Sequence, residues 1–547
     1  MTPYKRMEYQ VDFTKASLLE EVHEYGSRAA ETSWHRLLRL QPQCGFGQLG
    51  LCCRNCAMGP CRVSFFAEGP QTGVCGAGPG IMAARWLART TSTAASIRIQ
   101  RLYSALDHAG GLNRLVEPFT AILPSNPTSL LHAQSIPYTV FGSKLYSRLR
   151  KADLLPKGPM PEIAATLTAA AMGSEADAER LALTALRLAL SDSWVTSTLL
   201  SAATEAFTRH REAGYKTPGQ AFTILAACLD EDAMDRLRRA LESLGIQAEV
   251  LELACEWRGE NPVAADLAMQ ELLAYSGGVS LVAYKWPCVT PATLKAFKGN
   301  AVLVDMKTAS MSDIVEALQK ASRKTVEKQP RNIPARRYSL TALYTETDNL
   351  KAIADAVEEG AVEGIALLGG CGNPKQTHGV SAELAEKLIG NNILVLSYGC
   401  TSAVLAAKGL LDPEKASAKA GDGLKKIYKA ESIPPIIHIA TCNTWIQAMH
   451  AARIVMEQLG LGLDEAPVAA IAPEATGERM LSTLLTGAAS GILAATSALM
   501  PYQGSKTIRT LLTEKMAEKT GGKLLYNPDP SILLDSTIQW IKERRKT

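Results

Sequence analysis

The chain of 547 residues carries 58 Lys and Arg against 54 Asp and Glu, a formal net charge of +4, with 47% hydrophobic and 20% charged residues. That length is too great for one hydrophobic core and predicts roughly two to four domains. The near-balance of charge gives no case for nucleic acid or an anionic membrane surface, and no apolar run is long enough to span a bilayer.

The N-terminus lacks the apolar core of a secretory signal, so a cytoplasmic protein with reduced thiols is expected. In that setting clustered cysteines point to metal rather than to a disulfide framework.

Residues 1–217 are expected to form a helical domain. Leu18, Leu19, Val22 and Tyr25 share one helical stripe, and the stretches Ile81 to Leu106 and Glu162 to His210 are rich in Ala and Leu. Between them, half of the protein's 12 cysteines lie from Cys44 to Cys75, among glycines that let a chain fold tightly around an inorganic core. The neighbours Cys52 and Cys53 point in different directions, so we read two iron–sulfur sites here.

Lys216-Thr-Pro-Gly-Gln220 is a turn-rich break. Beyond it, short apolar runs alternate with helical stretches, the pattern of parallel α/β domains. We expect one such Rossmann-like domain over 218–334 and a second over 335–547, divided at the basic stretch Arg331–Arg337.

The other six cysteines each follow a predicted strand: Cys228, Cys255, Cys288, Cys371, Cys400 and Cys442. Ligands of open α/β sheets bind at the carboxyl ends of the strands, where helix N-termini also point. Thr290-Pro291, Thr401-Ser402 and Asn443-Thr444 read as helix starts, which would favour thiolates at the adjoining cysteines. Buried cysteines are common at strand ends as small hydrophobes, but that accounts for a few of the six rather than for the set. A second, larger metal centre between the α/β domains is therefore expected.

These residues resemble the nickel-dependent carbon monoxide dehydrogenases and, more distantly, the hybrid-cluster (prismane) proteins. The resemblance lies in Cys44-x7-Cys52, in Cys53-x2-Cys56-x4-Cys61-x13-Cys75-Gly-Ala, and in Gly369-Gly-Cys371-Gly-Asn-Pro-Lys375, Tyr398-Gly-Cys400-Thr-Ser-Ala and His438-Ile-Ala-Thr-Cys442-Asn. It implies a prismane-like fold with a 4Fe–4S cluster on Cys53, Cys56, Cys61 and Cys75. It also implies a cluster, 4Fe–4S or 2Fe–2S, on Cys44 and Cys52 and shared across a homodimer, since two thiolates per chain leave a cluster half-liganded. The strand-end cysteines would hold the active-site cluster.

Three positions depart from the resembled pattern. Cys228 stands where a histidine ligand is implied, Arg479 where a lysine is, and Arg98 where a relay histidine is. Arginine does not give up its proton, so neither can shuttle one, and the departures count against nickel. Acids at strand ends (Asp230 and Glu231, Glu256 and Glu260, Glu474 and Glu478) were weighed as oxygen ligands for an iron–sulfur–oxygen cluster, with Glu474 and Glu478 preferred.

The expectation is an iron–sulfur oxidoreductase that reduces a small N–O substrate, hydroxylamine to ammonia, with Arg479 and Arg98 stabilising negative charge. His378, Lys375 or Lys285 would donate protons, and an electron-transfer protein such as a ferredoxin would supply electrons. The alternatives are a nickel enzyme oxidising carbon monoxide with water, and a redox sensor or electron-transfer protein without turnover. A structural zinc protein is the weakest reading, because only Cys53-x2-Cys56 has a knuckle's spacing.

Overall fold

The computed structural model describes residues 32–64, 68–109, 126–204, 214–216, 218, 222–257, 259–285, 287–326, 347–376 and 379–546. The predicted stripe from Leu18 to Tyr25, the break at Arg331–Arg337 and His378 lie outside the described residues, as does most of the break at 216–220.

Among the described residues the N-terminal part is helical apart from one two-residue ribbon, β1 (Cys52–Cys53) against β2 (Cys61–Arg62), antiparallel, with Cys53 opposite Cys61. Leu51, Val63 and Met82 form a small core beneath it. The spine of this part is α1 (Pro79–Ala109), which packs against α2 (Ala178–Ser191). Asp177 caps α2 by accepting from the Glu179 and Arg180 amides. Past Ser191 the helix widens into a π-turn, Asp192–Ser197, whose six residues are all buried.

Two parallel sheets follow. The first has the order β5 (Val263–Ala265), β4 (Glu249–Leu253), β3 (Thr223–Ala227), β6 (Leu281–Tyr284), β7 (Val302–Asp305). The second has the order β10 (Ile436–Ala440), β9 (Ile393–Tyr398), β8 (Gly364–Leu368), β11 (Val468–Ile471), β12 (Leu493–Thr496), β13 (Lys523–Tyr526). Strands β8, β9, β10, β11 and β12 are buried at every position, which is why they read as unbroken apolar runs rather than as alternation. One continuous core joins the helical part to both sheets, and a second core fills one face of the first sheet under α3 (Glu231–Leu244).

Two more helices matter below. α4 (Cys400–Ala407) begins directly at its cysteine, after Gly399 at φ 63°, a conformation that favours glycine. α5 (Glu478–Ala489) follows β11 and is buried from Arg479 onward.

Candidate metal centre

All 12 cysteines are free thiols. In the N-terminal module, Arg85 on α1 points its Nη1 at the sulfurs of both Cys53 and Cys75, 3.9 Å from each. The Val74 amide donates to Cys61 Sγ at 3.5 Å. A Cβ on Gly73 would fall 3.1 Å from Cys61 Sγ, so glycine there leaves the sulfur its room. Three of the four thiols, Cys53, Cys61 and Cys75, thus have a buried cation or a backbone donor directed at them, which fits an anionic iron–sulfur cluster. Cys44 is exposed and Cys52 half-buried, and Cys44 stands at the N-terminus of a short helix, where the Gly47 and Phe46 amides and Arg62 hold its thiol below the usual range.

The strand-end cysteines gather at the carboxyl edges of the two sheets. Cys228 follows β3, Cys255 follows β4, and Cys288 closes the loop after β6. Cys371 follows β8, Cys400 follows β9 and Cys442 follows β10. The Cys255 thiol interacts with those of Cys228, Cys288, Cys400 and Cys442, with Cys288 Sγ at 3.2 Å. Cys371 is close enough to feel the charges of Cys442 and Cys288. The two sheets also meet through their backbones here, where the Cys442 amide donates to the Cys255 carbonyl at 3.3 Å.

Local backbone at this seam is unusual. Cys228 has φ 56° and Cys288 φ 89°, values that non-glycine residues rarely adopt and that collect at functional sites. Gly369 lies against Tyr398, and an added Cβ there would come within 2.4 Å of the ring.

The expected thiolates are not what helix N-termini produce here. Hydrogen bonding with Cys228, joined by Cys400 and burial and opposed by Cys288 and Cys442, raises Cys255 well above its ordinary value, and Cys288 and Cys442 are raised by their bonds to Cys255 and by burial. Burial pushes Cys371 up to about 12. The bond to Cys255 lowers Cys400, but burial and neighbouring thiols outweigh it and leave it at about 11. Desolvation and mutual repulsion thus exceed any dipole effect, and a metal binding here would displace protons.

The helix-start signals were also only partly right. Thr290 does cap the following helix, accepting from the Thr293 amide at 3.2 Å. Thr401 and Ser402 lie inside α4, and Thr441 and Thr444 bond to each other in the loop after β10.

Arg479 dominates the electrostatics. Its Nη2 lies 2.7 Å from Cys288 Sγ and 2.9 Å from Cys255 Sγ, while its Nη1 donates to Asn443 Oδ1 at 2.9 Å. Glu256 stands 3.9 Å from Nη1 and accepts from the Asn443 amide group. Arg101 reaches Glu256 at 3.5 Å and Glu231 at 2.8 Å. Arg98 does not touch the sulfurs. It forms a fully buried ion pair with Asp192 and donates to the Arg479 carbonyl at 3.2 Å.

The remaining acids and bases divide. Glu474 is buried, accepts from Ser381 Oγ at 2.8 Å, and offers its carbonyl to the Cys371 amide at 3.1 Å. Glu478 is exposed at the start of α5, just after Thr476 and Gly477, whose backbone faces the Cys371 thiol. Asp230 caps α3 and pairs with Lys285 at 2.7 Å, and Glu260 pairs with Arg238 at 2.7 Å. Lys375 is half-buried and lowered by desolvation. His438 sits inside β10, stacked on Trp257 at 4.6 Å, with Nδ1 on Ser402 Oγ and Nε2 on the Trp257 carbonyl.

Among the described residues, no three His, Cys, Asp or Glu close around a single metal ion. Six sulfurs from six strand ends, with a fixed cation, match in number and softness a cluster of several metals rather than one ion. Asp192 and the main-chain grip of Arg98 were not anticipated. The one sequence signal was an acid two residues past the Leu- and Ala-rich stretch Leu181 to Leu190.

The sequence matches the Prismane/CO dehydrogenase family over residues 51–121 and 240–531. It is 28% identical to carbon monoxide dehydrogenase 1 of Methanosarcina mazei, covering 98% of both chains. It is 27% identical to carbon monoxide dehydrogenase 1 of Carboxydothermus hydrogenoformans, covering 94% of this chain and 96% of that one. A nickel-free crystal structure of carbon monoxide dehydrogenase from Thermococcus sp. AM4 superposes with a TM-score of 0.83 at 25% identity, over 100% of this chain and 99% of that one. These relatives stand closer to carbon monoxide chemistry than to hydroxylamine reduction, and they lend no support to the expectation against nickel.

Proposed function

Because the chain belongs to the Prismane/CO dehydrogenase family, we propose that it is an iron–sulfur oxidoreductase that interconverts carbon monoxide and carbon dioxide at a nickel–iron–sulfur cluster. The observation that carries this reading is the convergence of Cys255, Cys288, Cys371, Cys400 and Cys442, with Cys228, at the edge shared by two parallel sheets. The reaction is CO + H2O giving CO2, two protons and two electrons. When bound, the cluster would supply the open metal site and accept the electron pair.

The chain's own residues do the rest. The strand-end cysteines hold the cluster. Arg479 places a permanent positive charge on the sulfurs of Cys255 and Cys288 and donates hydrogen bonds to them. Asn443 and Glu256 orient that guanidinium. Because arginine keeps its proton, transfer to solvent falls to other groups, and we assign it to Glu474 and Lys375, on the loops after β11 and β8 that the Cys371 amide and the Asn373 side chain tie together. Glu478 takes no part. Cys53, Cys56, Cys61 and Cys75 would hold one electron-carrying cluster, and Cys44 and Cys52 would hold another shared with a second copy of the chain, with a soluble carrier such as a ferredoxin as the outside partner.

One observation favours a second reading. A fixed cation on two sulfurs, with Cys228 where a histidine ligand is implied, suits a cluster that passes electrons to a substrate: NH2OH plus two electrons and two protons gives NH3 and H2O. The two are separated by anaerobic assay of the metal-analysed protein. Carbon monoxide-dependent dye reduction with about one nickel per chain supports the first. Hydroxylamine consumption with a reduced dye, with no nickel and no response to carbon monoxide, supports the second and rejects the first.

A further inference from the structure

Arg98 is fully buried in the middle of α1, and its charge is matched by Asp192, equally buried, at the first residue of the π-turn. Its other terminal nitrogen, Nη2, donates to the Arg479 carbonyl at 3.2 Å and approaches Thr483 Oγ1 at 3.4 Å. The Thr483 hydroxyl also donates to that carbonyl, at 3.0 Å. The first turn of α5 is therefore gripped at the residue whose side chain reaches the cysteine sulfurs.

The π-turn holds the rest of this assembly. Ser193 Oγ meets Thr486 Oγ1 at 2.9 Å, and Trp194 Nε1 donates to Ser490 Oγ at 3.1 Å, which ties the turn along α5. Ser197 Oγ donates to the Asn443 carbonyl at 2.7 Å, and Asn443 is the residue that anchors the Arg479 guanidinium. Both determinants of the Arg479 position, its own backbone and its amide anchor, thus lead back to one turn of the helical domain. Single π-turns recur at functional sites, because the widened helix brings side chains to places a regular helix cannot. A buried ion pair adds little to stability over an apolar pair of the same size, so its presence asks for another reason.

We infer that the Arg98–Asp192 pair is a positioning device that fixes Arg479 against the sulfurs of Cys255 and Cys288 by holding the Arg479 main chain. The inference rests on the reading that those sulfurs carry a cluster. Arg98 is a positioning residue, since it touches neither sulfur.

The test compares anaerobic holoenzymes of the parent, Arg479→Met and Arg98→Met by redox titration and electron paramagnetic resonance. The N-terminal cluster in the same molecule is the internal reference. Arg98→Met is expected to move the strand-end cluster to lower potential, in the direction of Arg479→Met, and to broaden its signal while the N-terminal signal stays in place. Arg98→Lys, which keeps the charge but not the fork, is expected to fall between parent and Arg98→Met. If Arg98→Met does not fold, Thr483→Val and Ser197→Ala, which remove the neighbouring grips, are expected to shift the same signal in the same direction. A folded, fully loaded Arg98→Met with the parent's potential and signal, beside an Arg479→Met that changes both, overturns the inference. If Arg479→Met itself changes neither, the placement of Arg479 at a cluster falls first and the inference with it.

Discussion

Replacing Arg479 with methionine is the perturbation whose size the structure allows to be worked out. The guanidinium makes two short contacts to sulfur, 2.7 and 2.9 Å, in a buried site where salt and water screen little. Reduction places more negative charge on those sulfurs, so the cation stabilises the reduced state more than the oxidised one. A hydrogen bond to a charged group contributes about 1.5–3 kcal/mol. If one such bond's strength distinguishes the two oxidation states, its loss lowers a one-electron potential by roughly 65–130 mV, at about 59 mV per tenfold change. The assay is an anaerobic potentiometric titration of the loaded variant, with iron content matched to the parent. A potential unchanged within a few millivolts, or raised, would refute the claim that Arg479 acts on the cluster.

Other outcomes follow from the same geometry. Cys442→Ala should abolish turnover with carbon monoxide and with hydroxylamine and lower the iron content, while the N-terminal cluster keeps its absorption and paramagnetic signal. Asp230→Ala removes the nearer carboxylate partner of Lys285, leaving Asp232 at 3.8 Å, together with the acceptor for Ser104 and the cap of α3. Breaking such a buried pair costs about 3–5 kcal/mol in thermal or denaturant unfolding, against at most about 1 kcal/mol for Lys415→Ala at an exposed pair. Burial lowers His438 to about 4 from an ordinary value near 6.5. Between those values the unfolded chain binds the extra proton, so this contribution is complete above about pH 6.5 and is lost as pH falls toward about 4, roughly 3 kcal/mol in all. His438→Gln should flatten the fall in Tm across that window, and an unchanged slope would show that His438 is not the group responsible.

What the sequence made legible was the chemistry at strand ends. Runs such as Ile393 to Tyr398 are buried on both faces and so lack alternation, yet a cysteine just past each run marks the edge where ligands bind. Arg479 could be placed only through the family resemblance, which implies a lysine at the matching spacing after Cys442. The Arg98–Asp192 pair could not be anticipated, because its partners are far apart in sequence and a π-turn has no residue signature. The thiolate expectation failed for a related reason. Only the helix start at Thr290 was visible locally, and the mutual burial of Cys255 with four other thiols is a property of the assembled seam. Glu474 and Glu478 both stand just before the position where the resemblance implies a catalytic base, and the start of α5 turns Glu478 to solvent while Glu474 is buried.

The most direct test is anomalous scattering at the iron and nickel edges from an anaerobically grown crystal. The expected result is a cluster of iron peaks bounded by the sulfurs of Cys255, Cys288, Cys371, Cys400 and Cys442, with a nickel peak in the same pocket and Arg479 beside it. Iron confined to the N-terminal cysteines, with no metal among the strand-end sulfurs, would contradict it.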